Sequence, residues 1–157
     1  MLNKTQIPIT QGFVAIISAC DYELVSRFRW RILKTGATNY AQSGGGHGKE
    51  SILMHRLILG HCVDGKVCDH RDGNGLNNKR SNLRPATHAQ NIANSKRRIA
   101  TSKYRGVSWC KDRNKWMANI FINGKTVNLG RYSTELQAWA AYLKAAKKRY
   151  GQFVYGT

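Results

Sequence analysis

The chain has 157 residues, 26 of them Lys or Arg and 8 Asp or Glu, giving a formal charge of +18 at pH 7 and a pI near 10.3. That length holds one or two small domains and excludes a large multidomain enzyme. Hydrophobic residues make up 41% and aromatics 10%. This is too apolar for a disordered basic tail, so the charge coats a folded core and a polyanion is the default partner.

No window approaches the roughly 18 consecutive apolar residues of a membrane span, and the opening MLNKTQIPITQG has no apolar run of signal-peptide type. The expectation is a soluble, intracellular protein with no membrane partner. Cys20, Cys62, Cys68 and Cys110 form no C-x-x-C pair, so reduced, mostly buried thiols are expected and no structural zinc. Residues 1–95 carry 12 basic and 6 acidic side chains, net +6, whereas residues 96–157 carry 14 and 2, net +12. Between the halves runs SKRRIATSK, whose Lys96, Arg97 and Arg98 are candidates to lie against phosphates. The boundary is placed near residue 100, with one domain over 1–95, a basic linker over 96–103 and a second domain over 104–157.

In the first half, FVAIIS (13–18) reads as a buried strand, residues 21–28 as a short helix and RWRIL (29–33) as a strand. Residues 40–42 and 51–53 read as a hairpin around the loop GGGHGK. A phosphate-binding P-loop would need Gly at Ser43 and Ser or Thr at Glu50, so this loop is read as a hairpin tip. HRLIL (55–59) reads as a short helix with one apolar face, and His55 as a structural residue. His47 and His61 have no visible partner.

The densest polar stretch is CDHRDGNGLNNKRSNLRPATHAQN, residues 68–91. It reads as a strand over 66–71, a loop rich in Gly and Asn, a second strand over 82–85 and a helix capped by Thr87. That order converges on one small site. Phosphodiester cleavage needs a base to activate water, a cation against charge developing on phosphate, and stabilisation of the leaving oxygen. His70 is the candidate base. Asp69 and Asn91 offer one carboxylate and one amide oxygen, hard ligands suited to Mg²⁺ or Mn²⁺. Adjacent strand residues point to opposite faces, so Asp69 and His70 both aim inward only if the strand bends or the metal lies at its edge. Asn74, Asn77 and Asn78 are read as loop formers, and His88 as a phosphate contact or solvent residue.

These residues resemble the HNH nuclease motif in its H-N-N form, as found in phage and intron homing endonucleases: Asp69-His70, Asp72-Gly73-Asn74, Asn77-Asn78, Ser81-Asn82-Leu83-Arg84 and Gln90-Asn91 stand in register. The resemblance implies a ββα-metal nuclease module with its core over 54–95. It also implies that His70 is the general base, that Asp69 and Asn91 bind a divalent metal, and that Asn82 braces the loop so that the histidine is oriented. The setting it implies is the cytoplasm of a bacterial host, associated with DNA. Cys68 replaces the usual aliphatic residue before the Asp.

In the second half, YRGVSW (104–109), KWMANIFI (115–122) and KTVNLG (125–130) are alternating runs, and Asn123-Gly124 between the last two is a strong hairpin signal. Residues 134–150 turn to helical period. Thr134 and Gln137 stand at capping-box spacing, Ala138, Ala141, Tyr142 and Ala145 share a face, and Gly151 follows a basic last turn. The reading is a three-stranded antiparallel sheet packed on one helix, which makes the whole chain α+β. With Val107, Trp116, Ala118, Ile120, Val127 and Leu129 toward the helix, the open face carries Arg105, Ser108, Met117, Asn119, Phe121, Thr126 and Asn128. Such a sheet fits a DNA major groove, with Lys103, Lys111, Arg113, Lys115, Lys125 and Arg131 at its rim reaching phosphates.

SKYRGVSW, KWMANI, VNLGRYST and AWAAYLKAAKKRYG resemble the plant Apetala or ethylene-response-factor DNA-binding domain over nearly all of residues 101–152. The resemblance implies docking of the open face in the major groove. Several reading positions differ from the plant proteins, so sequence preference does not transfer. Trp139 is unusual for that family and is expected to cover a seam with the first half. The function expected is a metal-dependent homing-type endonuclease that nicks or cuts double-stranded DNA, with no protein partner implied. The alternative is a DNA-binding transcriptional regulator with a degenerate nuclease half.

Overall fold

Short apolar runs, most of them broken within a few residues by Gly, Asn or Pro, favour small sheets over one large one, and the described residues form four. The computed structural model describes residues 5–36, 38–44, 50–60, 65–95 and 101–154, which fold as mixed α+β. The chain divides into two units, Met1–Asn94 and Ser95–Thr157. The GGGHGK hairpin tip from Gly45 on, His47, His61, Cys62 and the linker cations Lys96, Arg97 and Arg98 lie outside the described residues.

In the first unit, β1 (Gln6–Pro8) pairs antiparallel with β2 (Val14–Ile17). Next comes α1 (Tyr22–Val25), shorter than the helix expected over 21–28. The Trp30 indole takes the Val25 carbonyl at 2.8 Å, turning the chain so that Trp30 enters the core. A meander of β3 (Arg31–Lys34), β4 (Asn39–Gly44) and β5 (Ser51–Leu53) leads into α2 (Met54–Leu59), which buries Met54, His55 and Ile58. The antiparallel pair β6 (Val67–His70) and β8 (Leu83–Ala86) follows, then α3 (His88–Asn94). Thr87 and Gln90 cap α3 reciprocally, each side chain accepting the other's backbone N–H. Ile7, Ala15, Ile17, Val25, Trp30, Met54, Ile58 and Leu83 share one apolar cluster.

The loop between β6 and β8 is held by elements far away in sequence. Its two-residue strand β7 (Asn77–Asn78) runs parallel to β2, with Ile16 beside Asn77 and Ile17 beside Asn78. The Arg80 guanidinium grips the buried Asp21 carboxylate through Nε and Nη2 at 2.7–3.1 Å, and the Arg80 N–H donates to Ser18 Oγ at 3.0 Å. Gly75 lies so close to β4 that a Cβ there would come within 2.4 Å of the Asn39 carbonyl oxygen.

In the second unit, β9 (Val107–Cys110), β10 (Lys115–Ile122) and β11 (Lys125–Tyr132) form an antiparallel sheet in the order β11-β10-β9, joined by the Asn123-Gly124 turn with both residues at positive φ. Helix α4 (Glu135–Tyr150) starts in the expected Thr134–Gln137 capping box. Val107, Ala118 and Ile120 are buried beneath it, as are Ala138, Tyr142 and Ala146 of the helix itself. The register shifts at Ala118/Asn119; Leu129 packs into the core as expected, while Val127 on the edge strand β11, expected inside, is 42% exposed. The Trp139 ring stacks on Tyr104 at 4.5 Å and packs within its own unit's core.

Gly106 sits at φ +74, where a Cβ would come within 2.1 Å of the Tyr142 ring and 2.6 Å of the Asn119 carbonyl oxygen. Positive φ and overpacking together set the cost of Gly106→Ala at about 3 kcal/mol. The urea midpoint reported by Trp109, Trp116 and Trp139 fluorescence should fall accordingly; an unchanged midpoint would show that α4 does not close on β9 this tightly.

Candidate functional site

Asp69 and His70 end β6 on opposite faces, and both are buried, at 3% and 6% exposure. The strand need not bend, because protein covers it on both sides. On the Asp69 side the carboxylate receives Arg84 Nε from the directly paired position on β8 at 2.7 Å. Asn94 Nδ2 of α3 donates to both carboxylate oxygens, at 2.9 and 3.1 Å, and to the His70 carbonyl at 2.7 Å. The carboxylate's helix partner is therefore Asn94. Asn91, expected beside Asp69, is half-buried one turn earlier on the same helical face, and its side chain makes no hydrogen bond among the described residues.

On the other face, His70 Nε2 lies 3.2 Å from Asn78 Oδ1. Asn78 is fully buried, and its Nδ2 donates to the Leu76 carbonyl at 3.2 Å. A carbonyl accepts only, so that bond fixes the amide with Oδ1 toward the histidine, and His70 Nε2 must carry the proton. Nδ1 is left as the ring's lone-pair nitrogen. Burial lowers the His70 pKa, against the opposing pull of Asn78, Asp72 and Asp69, so the ring is neutral at pH 7.

Asn82 spans the neck of the loop. Its Nδ2 donates to Asp72 Oδ1 at 3.0 Å and the Asn77 carbonyl at 2.7 Å, while its Oδ1 accepts the Asp72 N–H at 3.2 Å. Asp72 also accepts from the Asn74 N–H and Asn77 Nδ2. Desolvation would raise its pKa, but these bonds together outweigh it and lower the pKa.

Two aromatic rings complete the His70 side. His55 of α2 meets His70 edge-on at 5.0 Å between centroids, and Tyr40 of β4 lies 5.3 Å from His55 and 5.9 Å from His70. The buried His55 Nδ1 has no hydrogen-bond partner among the described residues. Burial, then His70 and Arg56, push its pKa from 6.5 down to about 3. Burial raises the Tyr40 pKa, helped by the charges of Asp69 and Cys68, so the phenol keeps its proton. The sequence reading missed Tyr40, Arg84 and Asn94 and took Asn78 for a loop former. Only Asn94 had a local signal, its three-residue offset from Asn91. His88 is exposed.

Among the described residues no three His, Cys, Asp or Glu side chains cluster as a closed metal cage. The donors present nonetheless fit a hydrated Mg²⁺ or Mn²⁺. Asp69 Oδ1 accepts one hydrogen bond and keeps a free lone pair, Asn91 has an uncommitted amide oxygen on the helix face that reaches the carboxylate, and such ions keep several waters.

The chain is 31% identical over 148 residues to a protein named Uncharacterized HNH endonuclease from Acanthamoeba polyphaga mimivirus, an alignment covering 91% of this chain and 74% of that one. The chain belongs to the HNH endonuclease family. It is also 36% identical over 107 residues to Protein 3.8 of Escherichia phage T7, covering 67% of this chain and 87% of that protein. The AP2 domain family matches residues 102–152, so this HNH family member carries an AP2-like domain. No solved structure matches the chain. Among the described residues no helix is long and apolar enough to cross a membrane.

The AP2 sheet presents an open face in paired rows: Ser108, Met117 and Arg131; then Asn119 and Asn128; then Phe121 and Thr126. Phe121 is 64% exposed. Arg105 is committed elsewhere, its Nη2 donating to the Ser95 carbonyl and hydroxyl at 2.7 and 3.0 Å. Lys111, Arg113, Lys125 and Arg131 are exposed, as is Lys115, whose Nζ donates to Ser133 Oγ at 3.1 Å.

Lowered histidine pKa values link the first unit's stability to acid. Below about pH 6.5 the unfolded chain protonates His55 and the folded one does not, so stability is full above that pH and falls as pH drops toward 3. At pH 4 this amounts to on the order of 3 kcal/mol. Urea midpoints between pH 7 and 4 should fall less for His55→Phe than for wild type; parallel curves would mean that His55 is not buried as a neutral ring.

Proposed function

We propose that this chain is a metal-dependent DNA endonuclease of the homing type, built on a ββα-metal module, that nicks or cuts duplex DNA held by its AP2 sheet. The observation that carries the reading is the pair at the end of β6: a neutral His70 with its proton on Nε2, backed onto a buried, hydrogen-bonded Asp69. A virus protein named as an HNH endonuclease and a phage protein among the relatives support the homing setting.

In this reading His70 Nδ1 takes the proton from the water that attacks phosphorus, while Asn78 holds Nε2–H and prevents the ring from turning over. Asp69 and Asn91 would hold Mg²⁺ or Mn²⁺. Bound there, the ion would neutralise charge developing on the phosphate and stabilise the departing oxygen. Asn82 keeps the loop closed at its neck, and with it the position of Asn78. The products carry a 5′-phosphate and a 3′-hydroxyl. On the AP2 sheet, Ser108, Met117, Asn119, Phe121, Thr126 and Asn128 face the groove, and Lys111, Lys115, Lys125 and Arg131 meet phosphates.

A second reading, a DNA-binding regulator that does not cut, draws on Arg84, which already neutralises Asp69. One assay separates the two. Supercoiled plasmid should be nicked or linearised in Mg²⁺ or Mn²⁺ and left intact in chelator, and His70→Ala should slow cutting by about 10²–10⁴-fold. Equal cutting by His70→Ala would remove the assigned base, and tight binding without cutting in either metal would favour the regulator.

Binding itself should depend steeply on salt. With about 6 phosphates neutralised, log K falls against log salt with a slope of about −5. A nearly flat response in chelator would contradict the electrostatic grip.

A further inference from the structure

At the centre of the open AP2 face, two side-chain amides form a chain with a fixed direction. The Gly130 N–H donates to Asn128 Oδ1 at 3.0 Å, and Asn128 Nδ2 donates to Asn119 Oδ1 at 3.1 Å. A backbone N–H can only donate, so the first bond fixes which end of the Asn128 amide is oxygen, and the second fixes Asn119 in turn. The backbone beneath is held as well, since the Asn119 N–H donates to the Gly106 carbonyl at 2.7 Å and Asn119 pairs across the strands with Asn128. What remains uncommitted is weighted toward donors, with each oxygen keeping one lone pair. Asn119 Nδ2 makes no hydrogen bond among the described residues, while both amide oxygens already accept one.

A free asparagine reads adenine by accepting from N6 and donating to N7 with the same amide. Asn119 is not free in this sense, because its oxygen is turned along the sheet toward Asn128. It offers N–H groups, which meet the O6 and N7 acceptors of guanine in the major groove and find no second partner on the N6 amino group of adenine. Exposed Phe121, in the neighbouring row, sits where it would flank such a base pair, and Arg131, in the row on the other side, reaches the phosphates.

We propose that the Asn119–Asn128 pair reads with its uncommitted Nδ2 N–H groups and so selects guanine over adenine at one position of the target, with the Gly130 N–H setting its polarity. This rests on the reading that the open sheet face docks in the major groove. The polarity is reversible by one substitution. In Asn128→Asp the carboxylate can only accept, so Asn119 must turn its Nδ2 inward and present Oδ1 outward beside its remaining N–H, the pattern that adenine takes.

The test is selection of duplexes from a randomised pool by the full-length protein in chelator, where no cutting occurs, followed by affinity measurements on the winners. Asn119→Ala identifies the contacted base pair as the one position whose preference disappears. There the wild type should favour guanine over adenine by about tenfold, and 7-deazaguanine, which lacks the N7 acceptor, should lower affinity by about fivefold. Asn128→Asp should bind more weakly everywhere because of its charge, yet its guanine-to-adenine ratio should fall by about tenfold or invert.

Adenine or thymine selected by the wild type at that position, or an unchanged ratio in Asn128→Asp, overturns the proposal. So does a uniform loss of affinity in Asn119→Ala with no position affected, which would make the amide a phosphate contact. If Phe121→Ala and Arg131→Ala also leave affinity and selection untouched, the docking of the sheet fails along with it; if they weaken binding, only the amide assignment does.

Discussion

Neighbouring side chains on a β-strand leave it in opposite directions, and the first unit is organised around the requirement that two such neighbours both be buried. Asp69 and His70 leave the end of β6 on opposite faces, so each face needs its own polar lining and its own cover. A buried carboxylate loses several kcal/mol of hydration, and only a close cation and further hydrogen bonds offset it. Arg84 and Asn94 supply these on one side. A histidine that must stay neutral needs the reverse, an apolar enclosure with one acceptor. Tyr40, His55 and Asn78 supply that on the other.

The second requirement explains the residues that precede the motif. The hairpin and helix of residues 65–94 can complete the Asp69 side by themselves, because Arg84 and Asn94 lie within them. They cannot complete the His70 side. Tyr40 comes from β4 and His55 from α2, and the loop carrying Asn78 is held by β2, by the Asp21–Arg80 ion pair and by the close seat of Gly75 under β4. Asp21 lies 59 residues from Arg80, and both ends of the bond are anchored by backbone contacts at Ser18. The early sheets therefore position the histidine, and a small ββα hairpin without them would leave His70 exposed on one side.

This division also marks what the sequence disclosed. Local chemistry was legible: the Thr87 cap, the Thr134–Gln137 capping box, the Asn-Gly hairpin, the alternation along β10 and the order of strand, loop, strand and helix at the motif. Each depends on residues within a few positions of one another. Partnerships set by packing were not. Nothing within reach of Asn78 along the chain distinguishes it from Asn74 or Asn77; only the parallel pairing with β2 drives it inward. Asn94 reaches the Asp69 carboxylate one turn beyond Asn91, a contact set by how α3 packs on β6 rather than by any local signal. Strict alternation put both Val127 and Leu129 inside; Leu129 packs into the core, while Val127, on the edge strand, is 42% exposed. Charge alone suggested a boundary near residue 100, with net +6 before residue 96 and +12 after it, and the chain divides after Asn94.

Charge explains attraction to a polyanion but not discrimination, since every phosphate looks alike to Lys or Arg. Discrimination requires groups whose donor and acceptor ends are fixed in space. Asparagine is suited to this because it is uncharged and can sit near phosphate without repulsion, but its amide is a reader only when something prevents it from flipping. Both units solve that problem with a backbone group of one sign. In the first, the Leu76 carbonyl fixes Asn78 and through it the tautomer of His70; in the second, the Gly130 N–H fixes Asn128 and through it Asn119. A carboxylate in either place would need no orienting, yet it would bring a negative charge toward the phosphates and would protonate or repel. The amide avoids the charge and takes its direction from the main chain, which is why both chains of hydrogen bonds begin at a peptide group and end at the side chain that meets the substrate in the proposed function.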